Sequence, residues 1–165
     1  GSLKVMRRKE KEITYKDEMI NILEKARYIT VAMSRNDEPY LVTLSHGYDR
    51  NQNCIYFHSA KEGKKIDFLT SNNLIWGQAL YDKGYVQGAC DHLYATTQFK
   101  GKVTFVENFE EKKKALEIMI KALDNNPKKV MEEQLDKESV SKIHIGRIDI
   151  EYMSGKKSEK VIISL

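Results

Sequence analysis

Apolar and polar positions change their period several times along this chain, and each change marks an element. Thr14 and Asp17 have the spacing of a capping box, and Met19, Ile22, Leu23 and Ala26 recur at helical intervals. A helix with one packed and one solvated face is therefore expected from Thr14. Residues 28–34 are a β-branched and apolar run, which predicts a strand, and Arg35-Asn36-Asp37-Glu38-Pro39 predicts a hairpin turn. Residues 40–48 resume as a strand, with Tyr40, Val42, Leu44 and His46 on one face and Leu41, Thr43, Ser45 and Gly47 on the other. Asp49-Arg50-Asn51-Gln52-Asn53 turns the chain into a third strand over 54–59. Three consecutive strands on short turns predict an antiparallel meander.

The second half is more mixed. Residues 63–69 predict a short helix, Ser71-Asn72-Asn73 a turn, and 74–81 a strand; the Gly-rich stretch 82–91 reads as a loop. Residues 94–107 are long enough for a bent strand, with Gly101 placed for a close approach or a barrel corner. Over 109–123, Leu116, Met119, Ile120 and Leu123 form a helical stripe, and Glu110, Glu111, Lys112, Lys113, Lys114 and Lys121 form its solvated face. Asn125-Asn126-Pro127 ends that helix, and a last strand over 143–152 precedes a polar basic tail. Six strands with helices early, in the middle and late predict a small closed or partly split β-barrel with helices outside it. No Gly-x-Gly-x-x-Gly follows a strand and the elements do not alternate regularly, which argues against a Rossmann sheet.

Composition fits one domain of 165 residues, 41% apolar and 32% charged. The net charge of +4 lies wholly in residues 1–16, with six basic side chains (Lys4, Arg7, Arg8, Lys9, Lys11, Lys16) against Glu10 and Glu12. The remainder balances, so a chain-wide nucleic-acid surface is not expected, and an arm of six cations would bind weakly and salt-sensitively. Cys54 and Cys90 are the only cysteines and the four histidines lack metal-ligand spacing, which argues against a disulfide scaffold and a structural zinc site. No apolar run approaches the ~18 residues of a membrane span, and no signal-peptide stretch opens the chain. The expectation is a reduced, cytoplasmic protein. Gly1-Ser2 reads as an expression remnant, with the natural start at or near Met6.

Candidate chemistry concentrates in His58-Ser59-Ala60-Lys61-Glu62-Gly63-Lys64-Lys65. The segment ends a strand and opens a helix, so it gathers an imidazole, a hydroxyl, free backbone amides and lysine charge, a combination that suits a phosphate. Local physics is equally satisfied by a plain turn with Ser59 as a cap and solvated lysines. His46 has the chemistry of a proton donor, although a strand-edge histidine is ordinarily satisfied by its neighbours. Cys90-Asp91-His92 carries nucleophile chemistry, but adjacent residues rarely face one another, so a passive loop is preferred. His92 and His144 read as structural or exposed. Trp76, with Tyr81 and Tyr85, offers walls for a planar ligand, or ordinary packing.

A resemblance runs through Met6-Arg7-Arg8-Lys9, Glu38-Pro39-Tyr40, Leu44-Ser45-His46-Gly47-Tyr48-Asp49, Ile55-Tyr56-Phe57-His58-Ser59-Ala60 and Gly63-Lys64-Lys65-Ile66-Asp67-Phe68-Leu69, in that order. On these residues the chain resembles the pyridoxamine 5′-phosphate oxidase-like FMN-binding split barrels, in the branch of the nitroimidazole-resistance proteins, as far as Gly155-Lys156-Lys157. The resemblance implies a mainly β, α+β fold, a six-stranded antiparallel split β-barrel with flanking helices. It also implies a homodimer with FMN in a groove between protomers. Leu41, Val42, Thr43 and Leu44 would lie along the isoalloxazine through backbone groups. His58 and Ser59 would hold the ribityl-phosphate arm, Lys64 and Lys65 would neutralise the phosphate, and Thr96 would direct a polar side chain at the flavin. Residues 14–155 would form the FMN-binding domain, between a basic arm (1–13) and a basic polar tail (156–165).

The chain also departs from that pattern. Thr43 and His46 stand where branch members commonly have proline and phenylalanine, and Tyr94-Ala95-Thr96-Thr97 lacks the arginine of a Tyr-Arg-Ser pattern. The residues by which vitamin B6 oxidases hold their substrate are not recognisable, which speaks against pyridoxamine phosphate as the substrate. The expected function is an FMN-dependent oxidoreductase passing electrons from a reduced nicotinamide to a small organic acceptor, such as a nitroaromatic. The alternatives are a flavin-binding protein without turnover and a haem- or deazaflavin-binding relative.

Overall fold

The computed structural model describes residues 8–159 and Val161. The remnant Gly1-Ser2, Lys4, Met6 and Arg7 of the arm, and tail residues 160 and 162–165 lie outside the described residues. A single turn of 3₁₀ helix over Lys9–Lys11 leads into β1 (Glu12–Ile13), followed by α1 (Lys16–Lys25), β2 (Ile29–Arg35), β3 (Glu38–Leu44), β4 (His46–Asp49) and β5 (Cys54–Ser59). Then come α2 (Lys64–Ser71), β6 (Leu74–Val86), β7 (Asp91–Phe105), α3 (Phe109–Leu123), α4 (Pro127–Gln134), α5 (Lys137–Lys142) and β8 (His144–Lys157).

All strand pairs are antiparallel, in the order β3-β2-β6-β7-β8-β5-β4, with β1 pairing off this path to β8. The two ends of that order are β3 and β4, which follow one another in sequence with only Ser45 between them. The sheet therefore closes on itself through the covalent chain at Ser45, which makes it a split barrel.

Several elements differ from the sequence reading for identifiable reasons. The helix starts at Lys16, with Tyr15 at its N-cap and no side-chain cap bond, because Ile13 is drawn into pairing opposite Gly155 and leaves Thr14 upstream of the first turn. The five-residue turn contracts to Asn36-Asp37, both at positive φ (50° and 66°), as a two-residue hairpin connection requires, and Pro39 sits on the free edge of β3. The single strand over 40–48 is two, because β3 pairs with β2 whereas β4 pairs with β5. This split and the short β1 give eight strands in place of six. Stretch 82–91 is mostly strand: β6 and β7 pair out to Val86 opposite Asp91, with a register shift between Asp82 and Gly84. The last strand continues past Tyr152 to Lys157.

Gly101 does mark a close approach. A Cβ there would come within 2.3 Å of the Asp149 carbonyl oxygen, and the β7–β8 register shifts between Lys100 and Gly101. Two other glycines leave room for aromatic rings on the paired strand: a Cβ at Gly146 would meet the Phe57 ring at 2.1 Å, and one at Gly77 the Phe99 ring at 2.2 Å.

The barrel interior holds the main core, which includes Ile29, Val31, Ile55, Phe57, Phe68, Ile75, Phe99 and Ile148, sealed at one side by Ile22 and Leu23 of α1. A second cluster of Cys54, Tyr56, Val106, Ala115, Met119 and Ile145 lies between the outer face of β5 and α3. Asn108 caps α3 by accepting from the Glu111 amide at 2.9 Å. Lys114 pairs with the buried Asp49 at 2.8 Å, and Arg147 reaches Glu111 at 3.2 Å, so two ion pairs fix α3 across the strands. Burial alone would raise the Asp49 pKa, but Lys114 and the amides of Asn51 and Gln52 outweigh it and hold the carboxyl below its ordinary range.

Candidate functional site

The segment from the end of β5 to the start of α2 forms a strand-to-helix turn that gathers the groups an anion would need. β5 ends at Ser59, which is buried, and the chain turns through Gly63, whose φ of 133° suits glycine and brings it to the N-cap of α2. No side chain caps this end of the helix, so its first-turn amides point their partial positive charge outward. Ala60 O accepts from Ser59 Oγ at 2.8 Å and from His144 Nδ1 at 2.9 Å, and the His144 ring stacks on Phe105 with centroids 4.7 Å apart. These contacts hold the turn from below.

Two lysines flank it. Lys64 Nζ lies 4.4 Å from the centre of the Tyr40 ring, which itself packs on Phe68 of α2 at 5.2 Å. Lys65 Nζ lies 5.6 Å from the Phe57 ring, and burial pushes its pKa below the ordinary lysine value. Among the described residues, no carboxylate pairs with Lys65. A half-buried ammonium with aromatic neighbours and no counter-ion is a charge that an incoming anion would satisfy.

The remaining expected site residues fall on three other surfaces. Leu41 and Thr43 project outward from β3, whereas Val42 and Leu44 turn inward against the main core and offer only backbone groups at the free strand edge. Thr96 projects from the outer face of β7, its hydroxyl donating weakly to Lys156 O at 3.4 Å. It lines a shallow groove with Gln78, Tyr94, Gln98, Ser154 and Lys156, which adjoins a wider one of about 430 Å³ under Thr30, Ala32, Leu41 and Trp76. Gln98 donates to Gln78 at 3.0 Å on the wall shared by both. Leu41 and Thr96 thus share one sheet face. His58 stands apart, exposed on the outer side of β5 in a groove with Ser45, Leu116, Met119 and Ile120.

Sequence reasoning did not single out Gln78 and Gln98; their outward alternation on β6 and β7 was the available signal. Of the aromatic trio, Trp76 faces outward near Tyr152 (6.0 Å), Tyr81 packs against the core, and Tyr85 sits near the hairpin end beside His92, so they do not wall one pocket. Ala95 is fully buried, so a charged side chain there would enter the core of this backbone, not the sheet face. His46 is buried, with Nε2 donating to Leu23 O at 2.7 Å. Cys90 occupies an exposed turn, while His92 engages Asp82 at 2.8 Å, so these adjacent residues form no nucleophile pair. Among the described residues there is no metal-binding cluster, and no helix is long and apolar enough to cross a membrane.

An antiparallel barrel whose edge strands are joined in sequence defines the class as a split-barrel protein. The profile described as pyridoxamine 5′-phosphate oxidase matches residues 15–157, and the chain belongs to that family. Among solved structures, a candidate 5-nitroimidazole antibiotic resistance protein from Bacteroides thetaiotaomicron is 25% identical with a TM-score of 0.72, the match covering 88% of this chain and 86% of that one. That likeness agrees with the branch expected from the sequence. A FAD-binding protein from Mesorhizobium loti (20% identity, TM-score 0.63, 88% and 96% covered) shares the fold. So does a FAD- and haem-binding protein from Mycobacterium smegmatis (14% identity, TM-score 0.74, 94% and 77% covered). No curated protein matches.

Proposed function

We propose that this protein binds FMN as a homodimer and acts as a cytoplasmic oxidoreductase, passing electrons from a reduced nicotinamide to a small organic acceptor of the nitroaromatic kind. The observation that carries the proposal is Lys65, half-buried at the start of α2 with its pKa lowered by burial and without a carboxylate partner among the described residues. A terminal phosphate supplies the missing negative charge there, with Lys64 and the first-turn amides as further donors and Ser59 as another once its hydroxyl turns from the Ala60 carbonyl. FMN ends in such a phosphate, whereas FAD continues beyond it, so this turn favours FMN even though two of the similar folds belong to FAD-binding proteins.

In this reading residues 14–155 form the cofactor-binding unit between the arm and the tail. The backbone edge at 41–44 and the Thr96 hydroxyl orient the ring, and the uncovered face bearing Leu41, Trp76 and Leu80 packs against the second protomer. When bound, the flavin supplies the hydride and electron chemistry; the protein's part is to neutralise the phosphate, fix the ring and exclude water. Protein purified from cells is expected to be yellow, with about one FMN per chain in its absorbance and ligand mass. Lys65→Ala combined with Ser59→Ala should weaken FMN binding at least ~10-fold, the scale of one charge-assisted hydrogen bond. Colourless protein that takes up no added FMN refutes the proposal.

The alternative without turnover uses the same residues: the sheet face presents mostly amides and hydroxyls (Gln78, Gln98, Thr96, Ser154), with Tyr94 and Lys156 as its titratable groups. Reduced-nicotinamide oxidation with a nitroaromatic acceptor separates the two readings. Rates at the free-flavin background favour simple binding.

A further inference from the structure

A large cavity among the described residues lies away from the start of α2. It measures about 850 Å³, within the range of small-molecule sites, and opens between the ends of α1 and α3. Glu24, Lys25, Ala26 and Arg27 form one wall, Ile118, Lys121, Ala122, Leu123 and Asn125 the other, and His46-Gly47-Tyr48 of β4 the floor. None of the residues that line it belongs to the β5–α2 turn or to the sheet face.

Its charge is one-sided. Both helices present their C-terminal ends here, each equivalent to about half a negative charge. Lys25 and Lys121 lie in those last turns and are of the right number to compensate them with charge to spare, and Arg27 adds a third cation. The one carboxylate in the lining, Glu24, is already engaged by Arg50, while Lys25, Arg27 and Lys121 have no acidic partner among the described residues. Asp124 lines the neighbouring groove beside His58 instead. The net field is therefore positive by about two charges. Between the cations, Ala26, Ile118, Ala122 and the half-exposed Leu123 give an apolar wall.

The floor carries a polar atom without a partner. His46 is 3% exposed; its Nε2 donates to Leu23 O, which fixes the neutral ring with Nδ1 as a bare acceptor, and Nδ1 has no hydrogen-bond partner among the described residues. A buried acceptor left unmade costs about 1–3 kcal/mol, so a donor at this floor would be stabilising. We propose that this cavity is a binding site for an organic acid, with its anionic group among Arg27, Lys121 and Lys25, an apolar body against Ile118 and Leu123, and a polar group on the floor above the buried His46 ring. The proposal is independent of flavin binding.

The test is an amide and imidazole NMR titration of the protein as purified, any copurified cofactor left in place, with 3-hydroxy-2-naphthoate and its uncharged alcohol analogue as probes. Saturable shifts are expected at residues 24–27, 46–48 and 118–125, together with a shift of the His46 Nδ1 signal. The acid should bind at least ~10-fold more tightly than the alcohol. Arg27→Glu with Lys121→Glu, both at exposed positions, should lose that advantage, while Lys137→Glu on α5 keeps it. Shifts confined to the start of α2 or the sheet face, an unmoved His46 signal, or undiminished binding by the charge-reversed protein overturns the proposal.

Discussion

The two halves of the barrel treat their outer faces differently. β4 and β5 are covered on both sides: Ile55 and Phe57 enter the main core, while Cys54 and Tyr56 enter the cluster beneath α3. β2, β3 and β6 are covered on one side only, with Val31, Met33 and Ile75 inside and Leu41, Trp76 and Leu80 outside. The covered half closes its surface with the chain's own helix. The bare half leaves large apolar side chains at 62%, 36% and 51% exposure on a sheet, which is where a second molecule has something to bury. In an antiparallel barrel of this kind, the side on which the helices are absent is as informative as the side they cover.

The contrast can be broken most forcefully at Phe57. Its ring fills the space above Gly146, so Phe57→Ala should cost ~3–5 kcal/mol in urea unfolding, from lost burial plus the cavity left behind. A cost near that of a surface substitution would mean the covered half is not closely packed. Acid comes next. Burial holds the His46 imidazole below its ordinary value of 6.5, although the bond to Leu23 works in the other direction. The unfolded chain therefore takes up this proton first. Above about pH 6.5 the histidine contributes no pH dependence; as pH falls below that, stability declines by up to ~1.4 kcal/mol per unit until the folded state protonates too. His46→Gln should flatten that limb in unfolding curves recorded between about pH 8 and 5.

Tyr56 sharpens the comparison from the other side. Its hydroxyl is buried beneath α3 with no partner at hydrogen-bond geometry among the described residues, and burial, with the neighbouring Cys54 thiol second, raises its pKa well above the ordinary tyrosine value. Tyr56→Phe should be neutral or stabilising by ~1 kcal/mol in thermal and urea melts, since it removes an unmet polar group from a doubly covered strand. On the bare half, Leu41→Glu with Trp76→Glu should change monomer stability by no more than ~1 kcal/mol, two surface substitutions' worth. The same pair is expected to turn the proposed dimer into a monomer in sedimentation velocity. Retention of the dimer would place the interface elsewhere.

How much of this was visible beforehand depended on whether the signal was local. The stripe Leu116, Met119, Ile120 and Leu123 located α3 over Phe109–Leu123, and the unbroken run Cys54 to Phe57 located β5. α4 and α5 went unread because α4 buries none of its residues and α5 only Val140, so neither imposes a period on the sequence. Gly84 and Gly88 mimicked a loop, although Gly84 sits beside a register shift within β6. The break at Ser45 left no trace, because Tyr40, Val42, Leu44 and His46 keep facing inward while the strand changes partners. The 58–65 segment was legible as the end of a strand and the start of a helix carrying Lys64 and Lys65 because its residues are contiguous. That Leu41 and Thr96 share a face, and that His58 does not join them, depends on pairings across the sheet that no local pattern encodes.

The Ser45 junction also bears on how the protein reaches its native state. Closing a ring of strands ordinarily means that two distant edges must find one another, at an entropic cost that grows with the chain between them. Here the border between the two ends of the sheet spans one residue and is free of that search. The β2–β3 and β4–β5 hairpins are short-range, and within the ring the longest reach falls to the pairing of β5 with β8, where Phe57 meets Gly146 across nearly ninety positions of chain; only the short β1, off the ring, reaches further.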